Sequence, residues 1–501
     1  MCQLSATNEE ELDQLAESAT MDNNTNSQPT VKKREKWWKS IGVEPVMFLY
    51  MSAFMLTSVV EEAFFVHKAC TVNLGFAKEI CDNLTAPEHK SYQHEVQIKV
   101  STFHQYENIA SHFVPILLAF FLGPWSDKVG RKLPLLLGLM GNFVYSVMIV
   151  VNDYMVTWPV EMILLTASLP CAITGGNLTV FMASFSYLAD TTSQKSRTLR
   201  TTLLEVAYLF PMPTGVALGS YLFSHVMGRS YGRMFMINAC LLFLAILYTC
   251  AFIKWKTANE AEDSPRSYCC IFDLIDLRHV AHSIKALIKK RRERRRLFLI
   301  FSLIAMAFYT FQRDEKHMIY LYSMLKFKWN VTTFSQFRTF QSSFFVLGLL
   351  LGVPIMERCF GLKDNVIIMI GATAHLITRI IFAAANQPYL FYVGAVIASL
   401  GPIVAPVLRS LTSKLVPPSD RGKIFALFSV ADSTVPLVSG IIYTQVYNHT
   451  LNTFPQSIFL VTALSQAVVF VIALSMHILS KGKNMEQAKE VEDQEELASN
   501  S

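Results

Sequence analysis

Long apolar stretches alternate with short polar intervals along the chain. They lie near 45–66, 108–125, 133–151, 160–188, 200–225 and 233–253, and then, after a longer polar interval, near 297–320, 336–356, 364–385, 389–413, 423–446 and 455–479. A helix of about 20 apolar residues crosses roughly 30 Å of hydrocarbon. Inside lipid the backbone must satisfy its own hydrogen bonds, and these stretches are too long for barrel strands, so each reads as a helix. The pattern predicts an all-α membrane protein with twelve transmembrane helices, six plus six.

The polar intervals divide the chain further. Residues 1–44 form a polar N-terminal tail, 45–253 and 297–479 the two six-helix units, 254–296 a linker between them, and 480–501 a C-terminal tail. Neither tail has enough apolar surface to order itself. The first 30 residues have no apolar core, so no cleavable signal is expected and the first span serves for insertion. Composition agrees: 52% of the residues are hydrophobic and 16% charged, against about a quarter charged in soluble domains.

Charge orients the helices. Lys32, Lys33, Arg34, Lys36 and Lys39 precede the first span, and "LIKKRRERRR" occupies 287–296, whereas the intervals 152–158, 386–388 and 447–454 hold no Lys or Arg. Both termini are therefore expected in the cytoplasm. The net charge of +6 follows from these cations and needs no nucleic-acid partner. Before the basic run, Phe272, Ile275, Val280, Ile284 and Leu287 recur at helical spacing, which predicts an amphipathic helix on the inner leaflet. Sequons at Asn83, Asn330 and Asn448 all fall on the outer side, where glycosylation takes place. Of nine cysteines, Cys70 and Cys81 alone lie in an outer loop, a candidate disulfide in an oxidising compartment.

One interval is unusual. "GPWSDKVGRK" at 123–132 is the expected turn between the second and third spans. Gly123 permits close helix approach, Gly130 permits a tight turn, and Asp127 can pair with Arg131 or with a cation across an interface. Such a pair can latch one side of the protein in one conformation and release it in another, so these four residues are the candidate cytoplasmic gate. The spacing resembles the loop signature G-x-x-x-D-[RK]-x-G-[RK]-[RK] of the major facilitator superfamily. With "ASFSYLAD" at 183–190, "SRTLRTTLLE" at 196–205 and "PVLRSLTSKLV" at 406–416, the chain resembles the proton-coupled folate transporter family, the forty-sixth solute-carrier family. The resemblance implies two pseudo-symmetric six-helix bundles around a cavity, the major facilitator fold, and proton-driven uptake of organic anions. Family substrates include folates and, for some members, muropeptide fragments, cyclic dinucleotides or steroid conjugates.

Ionisable residues inside a membrane are functional candidates by default. Glu205, about two turns inside the fifth span, matches the glutamate that the family uses in proton coupling; the plainer reading is a structural pair with a cation. Arg409, in the tenth span, matches a family arginine tied to substrate and proton; its guanidinium suits a carboxylate or phosphate, or it snorkels to the interface. In the seventh span, "FQRDEKHMIYLY" puts Gln312 where the folate transporters have a histidine. His317, Asp314 and Glu315 lie close by, either as a displaced proton site or as an exposed helix end. Gly175-Gly176-Asn177 replaces an acidic residue of the folate-transporting members, so the two departures bear on folate more than on proton coupling. Glu61, Glu62, Arg379 and Asp432 are either cavity residues or buried pairs. Pro211, Pro213, Gly215 and Gly219 should kink or thin the fifth span.

No P-loop, nucleophile elbow, CxxC or metal-ligand cluster is visible, so no cofactor or metal is expected and neither ATP-driven pumping nor enzymology is supported. The expectation is a secondary active symporter for a small organic anion and protons, working in a lipid bilayer; the competing reading is a non-transporting receptor that keeps the fold. The plasma membrane is the first expected location and the lysosome the second. A homo-oligomer is left open.

Overall fold

The structure, a computed structural model, describes residues 42–192, 194–255, 295–416 and 418–480. The expected tails, the amphipathic helix and most of the basic run lie outside the described residues. Among the described residues, twelve long helices carry the fold: α1 (Glu44–Asn73), α2 (Lys90–Val129), α3 (Lys132–Tyr154), α4 (Leu164–Thr191), α5 (Arg200–Val226), α6 (Tyr231–Phe252), α7 (Arg295–Phe327), α8 (Val331–Cys359), α9 (Asp364–Ala384), α10 (Tyr389–Leu415), α11 (Pro418–Thr450) and α12 (Ser457–Leu479). Ten of these are long and apolar enough by composition to cross a membrane. The other two, α2 and α11, span 40 and 33 residues and pack along one another.

The sequence pattern placed the second span at 108–125, with a loop before it; the helix begins at Lys90. Its added turns carry Gln93, Gln97, Ser101 and His104, all buried. These polar residues recur every three or four positions and so share one helix face. A hydropathy window averages that face away, because what covers it is another part of the protein and not lipid. The turn at 123–132 is correspondingly shorter than expected. The helix runs to Val129, Gly130 takes φ +89°, which favours glycine, and α3 begins at Lys132.

Packing differs between the two ends of the bundle. At the end that carries the loops after α1, α3, α7, α9 and α11, one continuous apolar cluster includes Phe65, Phe103 and Ile149 from α1–α6 together with Leu321, Phe337, Tyr447 and Phe459 from α7–α12. At the end near the termini there are two clusters. One holds Val43, Tyr50, Leu139, Tyr187 and Ile253 from the first half; the other holds Phe298, Ile368, Leu411 and Met476 from the second. Hydrogen bonds across the halves gather at the first end. Gln93 and Gln97 amides donate to the Met324 and Leu321 carbonyls at 3.3 and 2.9 Å. The Tyr447 hydroxyl donates to Gln97 at 3.0 Å, and the Thr444 hydroxyl donates to the Ser101 carbonyl at 3.1 Å. The halves are thus sealed at the loop end and, among the described residues, form separate apolar clusters at the terminal end.

Within the first half, α1 and α5 touch at Gly219. A Cβ there would stand 1.9 Å from the Leu56 carbonyl oxygen, so a side chain of any size keeps the helices apart.

Candidate transport site

Helix α7 builds the site because it is broken. A 3-10 turn, Phe311–Asp314, interrupts its α-helical winding, and interrupted helices near the midplane are a recurrent way to present charge in transporters. Successive side chains from this stretch reach different neighbours. Arg313 reaches toward Asp432 on α11, Asp314 accepts a hydrogen bond from the Ser439 hydroxyl of α11, Glu315 meets Arg379 on α9, Lys316 stands over the Phe54 ring of α1 and His317 meets Glu62 on α1.

Two centres result. The first joins Arg409, Arg313 and Asp432. The Arg409 guanidinium donates to Asp432 Oδ2 at 2.8 Å, Arg313 stands 3.8 Å from the same oxygen, and the Thr310 hydroxyl donates to Oδ1 at 2.6 Å. Arg409 is 47% exposed and Arg313 57%, against 14% for the carboxylate between them. Two open guanidiniums therefore share one carboxylate, leaving one positive charge in excess. Tyr208 of α5, in the opposite half, lies within electrostatic range of both guanidiniums. Glu205 sits one turn before Tyr208 on an adjoining face; it is exposed, with no ion pair or hydrogen bond among the described residues. Gln312 contributes a buried amide oxygen without a hydrogen-bond partner.

The second centre is buried and crosses the halves. Glu62 of α1 places Oε1 2.6 Å from His317 Nδ1 and Oε2 3.1 Å from His104 Nε2 of α2. The other nitrogen of His104, Nδ1, stands 3.6 Å from Glu107 Oε2, and the two imidazoles stack with centroids 4.5 Å apart. Sequence reading named His317 and Glu62 separately and saw no cluster, because His104 lies in the stretch assigned to a loop. The three donor atoms fall within 4.8 Å of one another. Ligands 2.0 Å from a common tetrahedral metal stand about 3.3 Å apart; the 2.6 Å between His317 Nδ1 and Glu62 Oε1 is too short for that and is a hydrogen bond.

Other expected site residues are already paired. Arg379 and Glu315 form an ion pair at 2.7 Å, with side chains 6% and 1% exposed, so neither faces the open centre. Arg131 donates to Asp190 of α4 at 2.8 Å and also to the Ser126 hydroxyl; the Asp127 side chain lies outside what the structure describes. In the second half, Lys414 at the end of α10 reaches Asp364 at the start of α9, 3.0 Å away. The two pairs occupy corresponding places in the halves with their charges reversed. Each ties its own half together. Gly123 lies inside the last turns of α2.

On the loop side, a disulfide joins Cys70 to Cys81. Asn83 and Asn330 are exposed, and Asn330 caps α8 by accepting from the Thr333 amide at 2.9 Å. Asn448 lies within α11, where its Oδ1 accepts from the Ser101 hydroxyl across the seam. A glycan on Asn448 has to displace that contact.

Comparison with known proteins agrees with this architecture. Residues 109–349 and 317–499 match the sequence pattern of the Major Facilitator Superfamily. The proton-coupled folate transporter of Rattus norvegicus is 28% identical over 453 residues, spanning 88% of this chain and 92% of that protein. The probable peptidoglycan muropeptide transporter of Drosophila melanogaster is 22% identical over 436 residues, spanning 82% and 81%. The crystal structure of a D-xylose-proton symporter superposes with a TM-score of 0.60 at 15% identity, covering 90% of this chain and 100% of that one, a likeness of fold. The protein is thus an integral, multi-pass transporter related to the proton-coupled folate transporters, and the chain belongs to the Major Facilitator Superfamily.

Proposed function

We propose that this protein carries a small organic anion across a membrane together with protons, by alternating access. The observation that carries this reading is the exposed Arg313–Arg409 pair around a single carboxylate. Charge in a low-dielectric opening is expensive, and an anionic substrate compensates it. A guanidinium fork also fits a carboxylate or phosphate through two parallel hydrogen bonds. The relatives named for folate and for muropeptides support the same class of ligand. With the basic segments cytoplasmic, the separated end opens to the cytoplasm and the sealed end faces outward. Glu205, exposed one turn before Tyr208 and with no ion pair among the described residues, is the carboxylate that takes up a proton in the opening. Carboxylate and phosphate substrates at the plasma membrane are the first assignment and a lysosomal location the second.

The test is uptake of labelled anions by vesicles containing the purified protein: a reduced folate, a muramyl dipeptide, a cyclic dinucleotide and a sulfated steroid, each at acidic and at neutral outside pH. Accumulation above the outside concentration, greater at acidic pH, is expected for at least one class. Saturable binding without accumulation establishes the receptor reading instead.

A further inference from the structure

We infer that the Glu62–His104–His317 cluster is a proton-binding site that closes the outer seam, and that it holds one proton when the seam is shut. This rests on the transport reading above and adds to it the residues where a proton acts on conformation. The seam places Glu62, with His104 and Glu107, on one half and His317 on the other, directly beneath the hydrogen bonds made by Gln97 and Ser101.

The proton count follows from the geometry. Glu62 lies between two imidazoles, hydrogen-bonded to His317 Nδ1 at 2.6 Å and at ion-pair distance, 3.1 Å, from His104 Nε2. His104 Nδ1 faces Glu107 Oε2 at 3.6 Å, an electrostatic contact longer than a hydrogen bond. A neutral imidazole carries one N–H, so His104 can present a proton to only one of its two carboxylates. One further proton makes it an imidazolium attracted by both.

Charge gives the same count. Glu61 of α1, hydrogen-bonded by the Tyr145 hydroxyl of α3, adds a third carboxylate to Glu62 and Glu107. Lys316 of α7 and Arg338 of α8 lie within electrostatic range of Glu62. Three carboxylates against two fixed cations leave one negative charge, which a single bound proton cancels. The other titratable neighbours are Tyr320 of α7, Cys171 of α4 and Asp314, whose carboxyl accepts from the Ser439 hydroxyl and lies within electrostatic range of His317, His112 and Arg313. An uncompensated charge buried at this depth is costly, so loss of the proton disfavours the closed seam. In the cycle the proton comes from outer water onto His104.

The experiment reads the seam without substrate. Ser101 is fully buried against α11, so Ser101→Cys reacts with a thiol reagent only when the seam opens; its modification in detergent-purified protein is followed by mass spectrometry. With His104 present, the rate should fall on acidification, by at most about tenfold per pH unit, the slope of one proton. In Ser101→Cys with His104→Gln it should be fast and independent of pH. Adding Glu107→Gln removes the surplus negative charge without a proton, so the triple variant should be slow at every pH. The inference is overturned if His104→Gln retains the pH dependence, or if Glu107→Gln fails to restore slow modification. If modification follows the expected course while no anion accumulates in vesicles, the transport reading fails and this one stands. If uptake is pH-driven and His104→Gln leaves it unchanged, the reverse holds.

Discussion

Arg409 and Arg379 show how differently two intramembrane arginines can be used. Both are ionisable residues in apolar stretches, and the sequence gives them equal standing. Arg379 is closed off by Glu315 at 2.7 Å, whereas Arg409 keeps 47% exposure while touching Asp432. Arg409→Lys preserves the charge but removes the planar fork. The expected result is an apparent substrate affinity about tenfold weaker, the equivalent of one charge-assisted hydrogen bond, with the amount of folded protein unchanged. Saturation kinetics of uptake measure this; an unaltered affinity assigns Arg409 to holding Asp432. Arg313→Gln should weaken binding in the same direction, because Arg313 supplies the charge in excess. Nothing in the sequence singled Arg313 out from Asp314, Glu315 or Lys316, since the direction of each side chain depends on the 3-10 turn at Phe311–Asp314.

Helices were legible from hydrophobic period where lipid is the neighbour and illegible where protein is. All twelve expected spans fall on helices, yet the polar face of α2 at Gln93, Gln97, Ser101 and His104 was read as loop. A period of three to four among those polar residues is the signal that finds it. Small residues told more than apolar ones about α5. Gly215 and Gly219 were expected to thin it, and at Gly219 the α1 backbone occupies the place of a side chain. Gly219→Ala should cost roughly 1–3 kcal/mol by overpacking and lower the thermal midpoint of the purified protein in detergent. An unchanged midpoint means that α1 and α5 can separate freely.

For the molecule as a whole, coupling depends on which end is open when a proton binds. In the present arrangement the loop end is sealed by both halves, and Glu205 lies exposed one turn before Tyr208, which faces the guanidinium centre. Glu205→Gln imitates a permanently protonated group. It should abolish accumulation driven by a pH gradient while substrate exchange between the two sides continues; counterflow in preloaded vesicles separates the two. The driving force at stake is about 2.3 kcal/mol per charge per 100 mV and about 1.4 kcal/mol per pH unit. If Glu205→Gln accumulates substrate as the parent does, coupling rests on the buried histidine cluster alone. The number of spans and the short turn at Gly130 were set by local forces, apolar transfer and backbone conformation, and these can be read along the chain. The same holds for the excess of cations beside the termini. Tertiary structure alone decided that Glu62, His104 and His317, from three helices and two halves, meet, and that Glu315 is matched by Arg379 while Arg409 stays open. Those outcomes depend on distances of a few ångströms between residues tens to hundreds of positions apart, and only packing determines such distances.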